Sequence, residues 1–492
     1  MDHLPPLLRN VFDSVGSPLG LETSFAAFLV LLLANLIVAF VFRYIRSGTL
    51  RMIISLCVGL LWSYIMYDVQ NTISLLTISG FFYIISIWKI LPPYLVTTLA
   101  IGILSYFHIY RMINDYMGYS LDVSGPLMLF TAKYSMFSFD LHDGEKLNNK
   151  LPLSANERVE KERKLTCLVQ TPSVLEYYAY IFDFLGFIAG PVFHMKDYLD
   201  FLYLKGDFEN LNEVSFIGVV AERFCYALLV GALFSYAGTI EPLNFRYIET
   251  PEYSKLHVLT KVMLFHAQVS AGRLRYYFAW YMSDVACCIS GIGYTPRNPT
   301  NKFSRGQNAV IFKVDFANNQ GELLAHWNIS ISNWLKNCIY LRAIESPPKF
   351  INAKTYATIL TRFASAFWHG FYPGYYLTFL SAVLQTEVDT VARKYIKPLF
   401  IENGEKEPHW SYTYCGKIHT AFCLNYYASA FLVLSAAKAI QLWKNVFFYF
   451  HIINFVSIFA IPFVCKKMFK VKPTEDKYEK SSVPDNEEKK KK

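Results

Sequence analysis

The run "FASAFWHGFYPGYYLTFL" (Phe363–Leu380) holds one imidazole, His369, among aromatic and aliphatic neighbours, and no Asp, Glu, Lys or Arg lies between Arg362 and Glu387. Ionisable groups in apolar segments are costly, so their default reading is functional. Gly370 removes side-chain bulk beside the ring, and Pro373-Gly374 interrupts a helix and frees backbone groups. Together they leave room for a ligand next to His369, with Trp368 as a candidate substrate contact. Desolvation disfavours imidazolium, so the ring is expected neutral and able to accept a proton. Such a group suits abstraction of a hydroxyl proton during acyl transfer. Exclusion of water would protect a reactive acyl donor from hydrolysis.

A second polar feature lies upstream in "AHWNISISNWLKNCIYLR" (Ala325–Arg342). As one continuous helix, Trp327, Ile331, Trp334, Cys338 and Leu341 fall on a single apolar stripe. Asn328, Ser332, Asn333 and Lys336 take a different, polar face. Asn328 would be able to donate a hydrogen bond to a carbonyl oxygen. The competing reading is an interfacial amphipathic helix anchored by tryptophans. The other histidines have weaker settings. His3, His142 and His409 lie in polar segments, whereas His108, His266 and His451 sit singly in apolar ones, where neighbouring carbonyls would satisfy them. Asp284 reads as a structural hydrogen-bond or ion-pair partner more than a catalytic group. There is no H-E-x-x-H, no Walker loop, no G-x-S-x-G elbow and no acid four or five residues after His369. A metal or a covalent acyl-enzyme is therefore not suggested, although Cys338 stays open as a nucleophile.

The elements that must hold these residues are membrane helices. The chain has 492 residues, 53% of them apolar and 17% charged, with 41 Phe and 35 Tyr. That aromatic load suits a bilayer and its interfaces. Phe25–Phe42 runs without a charge, long enough to span hydrocarbon as a helix. Arg43, Arg46 and Arg51 follow, placing this end in the cytosol and residues 1–24 in the lumen. Further spans are expected near 52–66, 73–88, 95–110, 216–237, 258–292, 356–368, 371–384, 421–437 and 446–464. A re-entrant or broken helix is expected over 177–193. The expectation is an all-α polytopic domain over 25–464 with about eleven transmembrane helices plus re-entrant and interfacial ones. A cytosolic basic tail would follow over 465–492.

The charged stretch Asp140–Ser173 and the Gly/Pro/Asn-rich 296–319 read as loops or short surface helices. No internal repeat is evident, which weakens a two-halves transporter reading. The nine cysteines show no disulfide framework or metal-ligand spacing. The net charge of +9 sits partly at the C-terminus and is read as a tail and loop feature, not a nucleic-acid footprint. Lys489–Lys492 places lysines at the third and fourth positions from the end, like a dilysine address for the endoplasmic reticulum; a basic lipid-attracting tail is the alternative.

"WNISISNWLKNCIY" and "SAFWHGFYPGYYLTF", supported by "PSVLEYYAYIFDFLGFIAGPVFHMKDY" and "RYYFAWYMSDVACCISGIGY", resemble the membrane-bound O-acyltransferase family in its lysophospholipid acyltransferase branch. The likeness is strongest to the subgroup that reacylates lysophosphatidylethanolamine and lysophosphatidylserine. It covers roughly 25–464. The resemblance implies His369 as catalytic base and Asn328 as its polar partner inside a membrane-embedded chamber. It also implies acyl-CoA as co-substrate without a cofactor, a lysophospholipid as acceptor and multi-pass residence in the endoplasmic reticulum membrane. Lys336 and Arg342, with Arg273 and Arg275 as competitors, would be the cations for the phosphates of CoA. Same-family acceptors such as lysophosphatidylinositol, a sterol or a protein remain the alternatives, and the oligomeric state is open.

Overall fold

The structure is a computed structural model that describes residues 1, 3–118, 121–401, 405 and 407–470. Most of the basic tail, including Lys489–Lys492, therefore lies outside the described residues. Among the described residues the fold is all-α, with one isolated antiparallel bridge between Ala309 and Trp327. Six helices among the described residues are long and apolar enough to cross a bilayer: Thr23–Arg43, Gly48–Tyr67, Val69–Ile87, Pro93–Asn114, Ile217–Gly238 and Tyr449–Met468. Four others have the length but carry more polar residues: Ser124–Asn148, Val258–Ser290, Pro373–Val391 and Trp410–Val433.

The chain divides into two compact units, one of residues 1–229 with 276–308 and one of 230–275 with 309–492. In the first, helix boundaries follow local chemistry. Ser47 caps Gly48–Tyr67 by accepting from Leu50 N–H, and Asp68, at φ 83°, caps the next helix by accepting from Asn71 N–H. The expected broken helix is observed: Val174–Ile181 stops and the four-residue turn Phe184–Phe187 follows, all of it buried. The carbonyls freed at the break are taken by Lys133 Nζ, which donates to Tyr180 O at 2.7 Å and Ile181 O at 3.0 Å.

Two expectations need correction here. Asp140–Ser173 is not wholly a surface segment, because Ser124–Asn148 is one helix in which Asp140 and Asp143 are buried. Asp140 Oδ2 meets His194 Nδ1 at 2.8 Å, which makes the buried carboxylate tolerable. Arg43 and Arg51 are also not solvent-facing charges. Both are fully buried, with Arg43 donating to Val214 O at 2.8 Å and Ile289 O at 3.2 Å, and Arg51 packing over the Phe42 and Phe201 rings.

The second unit is built on an antiparallel hairpin, Ala353–His369 followed by Pro373–Val391, with Trp410–Val433 and Tyr449–Met468 packed against it. Its apolar core gathers Phe265, Tyr426, Tyr427, Trp443 and Phe450. Two of the three histidines expected to lean on carbonyls meet tyrosines instead: His266 Nε2 lies 2.7 Å from Tyr449 OH, and His451 Nδ1 lies 2.9 Å from Tyr426 OH.

Candidate active site

His369 is the last residue of the helix Ala353–His369. The helix stops because Gly370 takes φ 116°, a conformation that favours glycine, and its N–H bonds back to Ala366 O and Phe367 O. Pro373 then opens the next helix, where its missing N–H costs nothing. Gly374 allows the closest approach in the hairpin. A Cβ there would lie 2.1 Å from Ala430 O, and its N–H donates to Leu434 O at 2.8 Å. The His-Gly-Phe-Tyr-Pro-Gly sequence thus encodes a tight turn that pins His369 against Trp410–Val433.

Around the imidazole stand Trp368 at 4.7 Å between ring centroids, Phe431 at 4.8 Å, Phe379 at 5.3 Å and Tyr375 at 5.5 Å. Phe379 stacks nearly parallel to it, and Phe431 meets it edge-on. The ring remains half-buried, so it keeps accessible surface inside an aromatic cage. Its place at a helix C-terminus matters too. Unsatisfied carbonyls there favour the positive charge that appears when imidazole takes a proton.

The Asn328 segment differs from a continuous helix. Gln320–His326 ends, Trp327 pairs with Ala309, and Asn328 turns left-handed at φ 47° before Ile329–Trp334 begins. Asparagine is among the few side chains that tolerate this region. The helix then widens to a π-helix over Leu335–Tyr340, a device frequent at functional sites. Ile331, Trp334 and Cys338 are buried as the stripe requires, but Trp327 has left the helix. Trp334, fully buried, packs on Trp368 at 6.1 Å, so the Asn328 helix meets the His369 helix one residue from the imidazole. Asn328 is half-buried, Lys336 is exposed on the π-helix, and Arg342 lies half-buried in the short helix Leu341–Glu345 that follows.

Arg273 is committed elsewhere, to Asp315 at 2.6 Å and to Asn425. Asp284 is tied to Arg223 within the first unit, a structural ion pair as expected. Sequence reasoning missed the cage residues Tyr375, Phe379 and Phe431. Tyr375 and Phe379, at i+6 and i+10 from His369, become visible once the turn at Gly370 is recognised; Phe431 comes from a separate helix and left no local signal.

The chain belongs to the membrane-bound O-acyltransferase family, whose profile matches residues 82–437. Among curated proteins it is 30% identical over 379 residues to mouse "Membrane-bound glycerophospholipid O-acyltransferase 1", covering 74% of this chain and 73% of that one. It is 29% identical over 379 residues to the Schizosaccharomyces pombe "Lysophospholipid acyltransferase", covering 74% and 71%. With the Drosophila melanogaster "Lysophospholipid acyltransferase 6" it shares 26% over 478 residues, which is 92% of this chain but 63% of the fly protein's length.

Proposed function

We propose that this chain is an acyl-CoA-dependent lysophospholipid O-acyltransferase of the endoplasmic reticulum membrane, acting in phospholipid remodelling. His369 accepts the proton of the lysophospholipid hydroxyl, at the sn-2 position, as that oxygen attacks the thioester carbonyl. The C–O bond forms, the C–S bond breaks, and the proton passes from the imidazolium to the departing sulfur as CoA thiol. A diacyl phospholipid remains. Asn328, which opens the helix whose Trp334 packs on Trp368, polarises the carbonyl or orients the hydroxyl. Lysophosphatidylethanolamine, lysophosphatidylserine and lysophosphatidylcholine are the acceptors expected.

The observation that carries this reading is the caged imidazole at a helix C-terminus, on a chain whose family transfers acyl groups to oxygen. The aromatic walls keep bulk water from the donor, and the helix end supports the transient imidazolium. A headgroup panel tests it. Protein purified in detergent is given labelled oleoyl-CoA or arachidonoyl-CoA with lysophospholipids of each headgroup, a sterol and lysophosphatidylinositol. Thiol release should match diacyl lipid formation with at least one of the three expected acceptors. Transfer only to sterol, or to none, would overturn it, and transfer only to lysophosphatidylinositol would overturn the expected acceptors.

A further inference from the structure

The inner face of the His369 helix carries a charge that the mechanism above leaves unused. Arg362 precedes His369 by seven residues, which brings both to one face about 10 Å apart along the axis. Between them on that face lie Ser365 and Ala366, both small and both buried. The opposite stripe, Ile359, Leu360, Phe363 and Phe367, is exposed and apolar. Arg362 itself is half-buried.

No hydrogen bond or ion pair holds its guanidinium among the described residues. The ionisable group that acts on it is the thiol of buried Cys423, which apolar surroundings keep protonated and uncharged. Asp389, one helix over, is committed to Gln320 N–H at 2.8 Å and to Gln385 Nε2 at 2.9 Å. A half-buried guanidinium without a counterion is costly, so a ligand anion is the natural partner.

We infer that Arg362 binds the phosphodiester of the lysophospholipid acceptor, on the helix face it shares with His369, while the acceptor hydroxyl reaches His369. The inference rests on the proposed reading of the acceptor and adds the group that recognises it. Phosphate is common to both substrates, and length separates them. In a lysophospholipid the phosphorus lies about 5 Å from the neighbouring hydroxyl oxygen. With hydrogen-bond contacts at both ends, the imidazole and guanidinium would stand about 12 Å apart. The pantetheine arm of CoA holds its pyrophosphate roughly 15 Å or more from the thioester when extended, too far for a residue two turns away. Arginine also suits phosphate better than lysine, through its planar fork.

The test uses the full chain in detergent, without acyl-CoA, so that binding is read independently of turnover. The probes are a chain-labelled fluorescent lysophosphatidylethanolamine and the matching monoacylglycerol, which has the same chain and glycerol but no phosphate. Wild type should bind the phospholipid probe more tightly. Arg362→Gln should weaken that binding ten- to hundredfold and change monoacylglycerol binding less than twofold, and Arg362→Lys should recover part of the loss. In turnover, the KM for oleoyl-CoA should stay within twofold of wild type. Equal weakening of both probes, a wild type that binds them equally, or a raised KM for oleoyl-CoA would each overturn the assignment. If wild type transfers no acyl chain to any lysophospholipid, the proposed function fails, whatever the probes report. If wild type transfers it but Arg362→Gln leaves the phosphate preference intact, this inference alone fails.

Discussion

At His369 the decisive chemistry is where the imidazole sits. A ring at a helix terminus, walled by Trp368, Tyr375, Phe379 and Phe431, keeps accessible surface where a proton could be received. Asn328 poses a different problem, because its backbone is left-handed at φ 47°. Replacing it with alanine removes the side chain and also strains the turn, at about 1 kcal/mol or more. Asn328→Gly removes the side chain alone. Both variants should lose on the order of 100-fold in kcat if the amide acts on the reacting groups. Glycine restoring wild-type turnover, measured with the same lysophospholipid, would reduce Asn328 to a backbone device. The histidine and asparagine were legible in sequence because each sits in a distinctive motif. The charge proposed to bind phosphate, Arg362, was visible only as the edge of an uncharged run; its i, i+7 relation to His369 needed the helix to be continuous between them.

Among elements, the hairpin turn matters most for position. Gly374 abuts the carbonyls of Ala430 and Leu434, and Thr378 Oγ1 donates to Tyr427 O at 2.9 Å, so the second arm is fixed along Trp410–Val433. Gly374→Ala forces a methyl against backbone oxygen that cannot swing away. It should cost about 1–3 kcal/mol, seen as a lower unfolding temperature in detergent together with reduced turnover. Unchanged stability would mean that the second arm can part from Trp410–Val433 without consequence. The turn itself was readable from Pro373-Gly374. The break at Asn328 and the π-helix over Leu335–Tyr340 were not, because the spacing of Ile331, Trp334 and Cys338 fits a plain helix equally well. The helix Ser124–Asn148 was lost for another reason. Lys133, Asp140 and Asp143 interrupt its apolar run, and the groups that neutralise Lys133 and Asp140 come from residues 180–194, far along the chain.

At the scale of the whole molecule, apolar helices set the class, while buried polar contacts fix the packing within each unit. Sequence length and hydropathy suffice for the first, since a span announces itself. They say little about the second. Arg43 looked like an interface charge and is in fact a buried donor to backbone carbonyls. The His194–Asp140 pair offers a pH readout of such a contact. Burial works against the charged imidazole, but the Asp140 carboxylate 2.8 Å away, together with Asp197 and Asp143, outweighs it and raises His194 above its ordinary value. The folded state therefore holds the proton more tightly. Its added stability is complete below about pH 6.5 and is lost as pH rises through the folded value. His194→Gln should accordingly lower the unfolding temperature more at pH 6 than at pH 9. A gap that stays constant or widens toward pH 9 would show that the pair is not charged in the folded protein.

The most direct measurement is the initial rate of acyl transfer from oleoyl-CoA to lysophosphatidylethanolamine by wild type and His369→Ala, both first shown to unfold at the same temperature. A positioned general base contributes about 100- to 10,000-fold, so the variant should fall by at least the lower figure, with thiol release and diacyl lipid formation declining together. A folded His369→Ala protein that turns over within a few-fold of wild type would contradict the account.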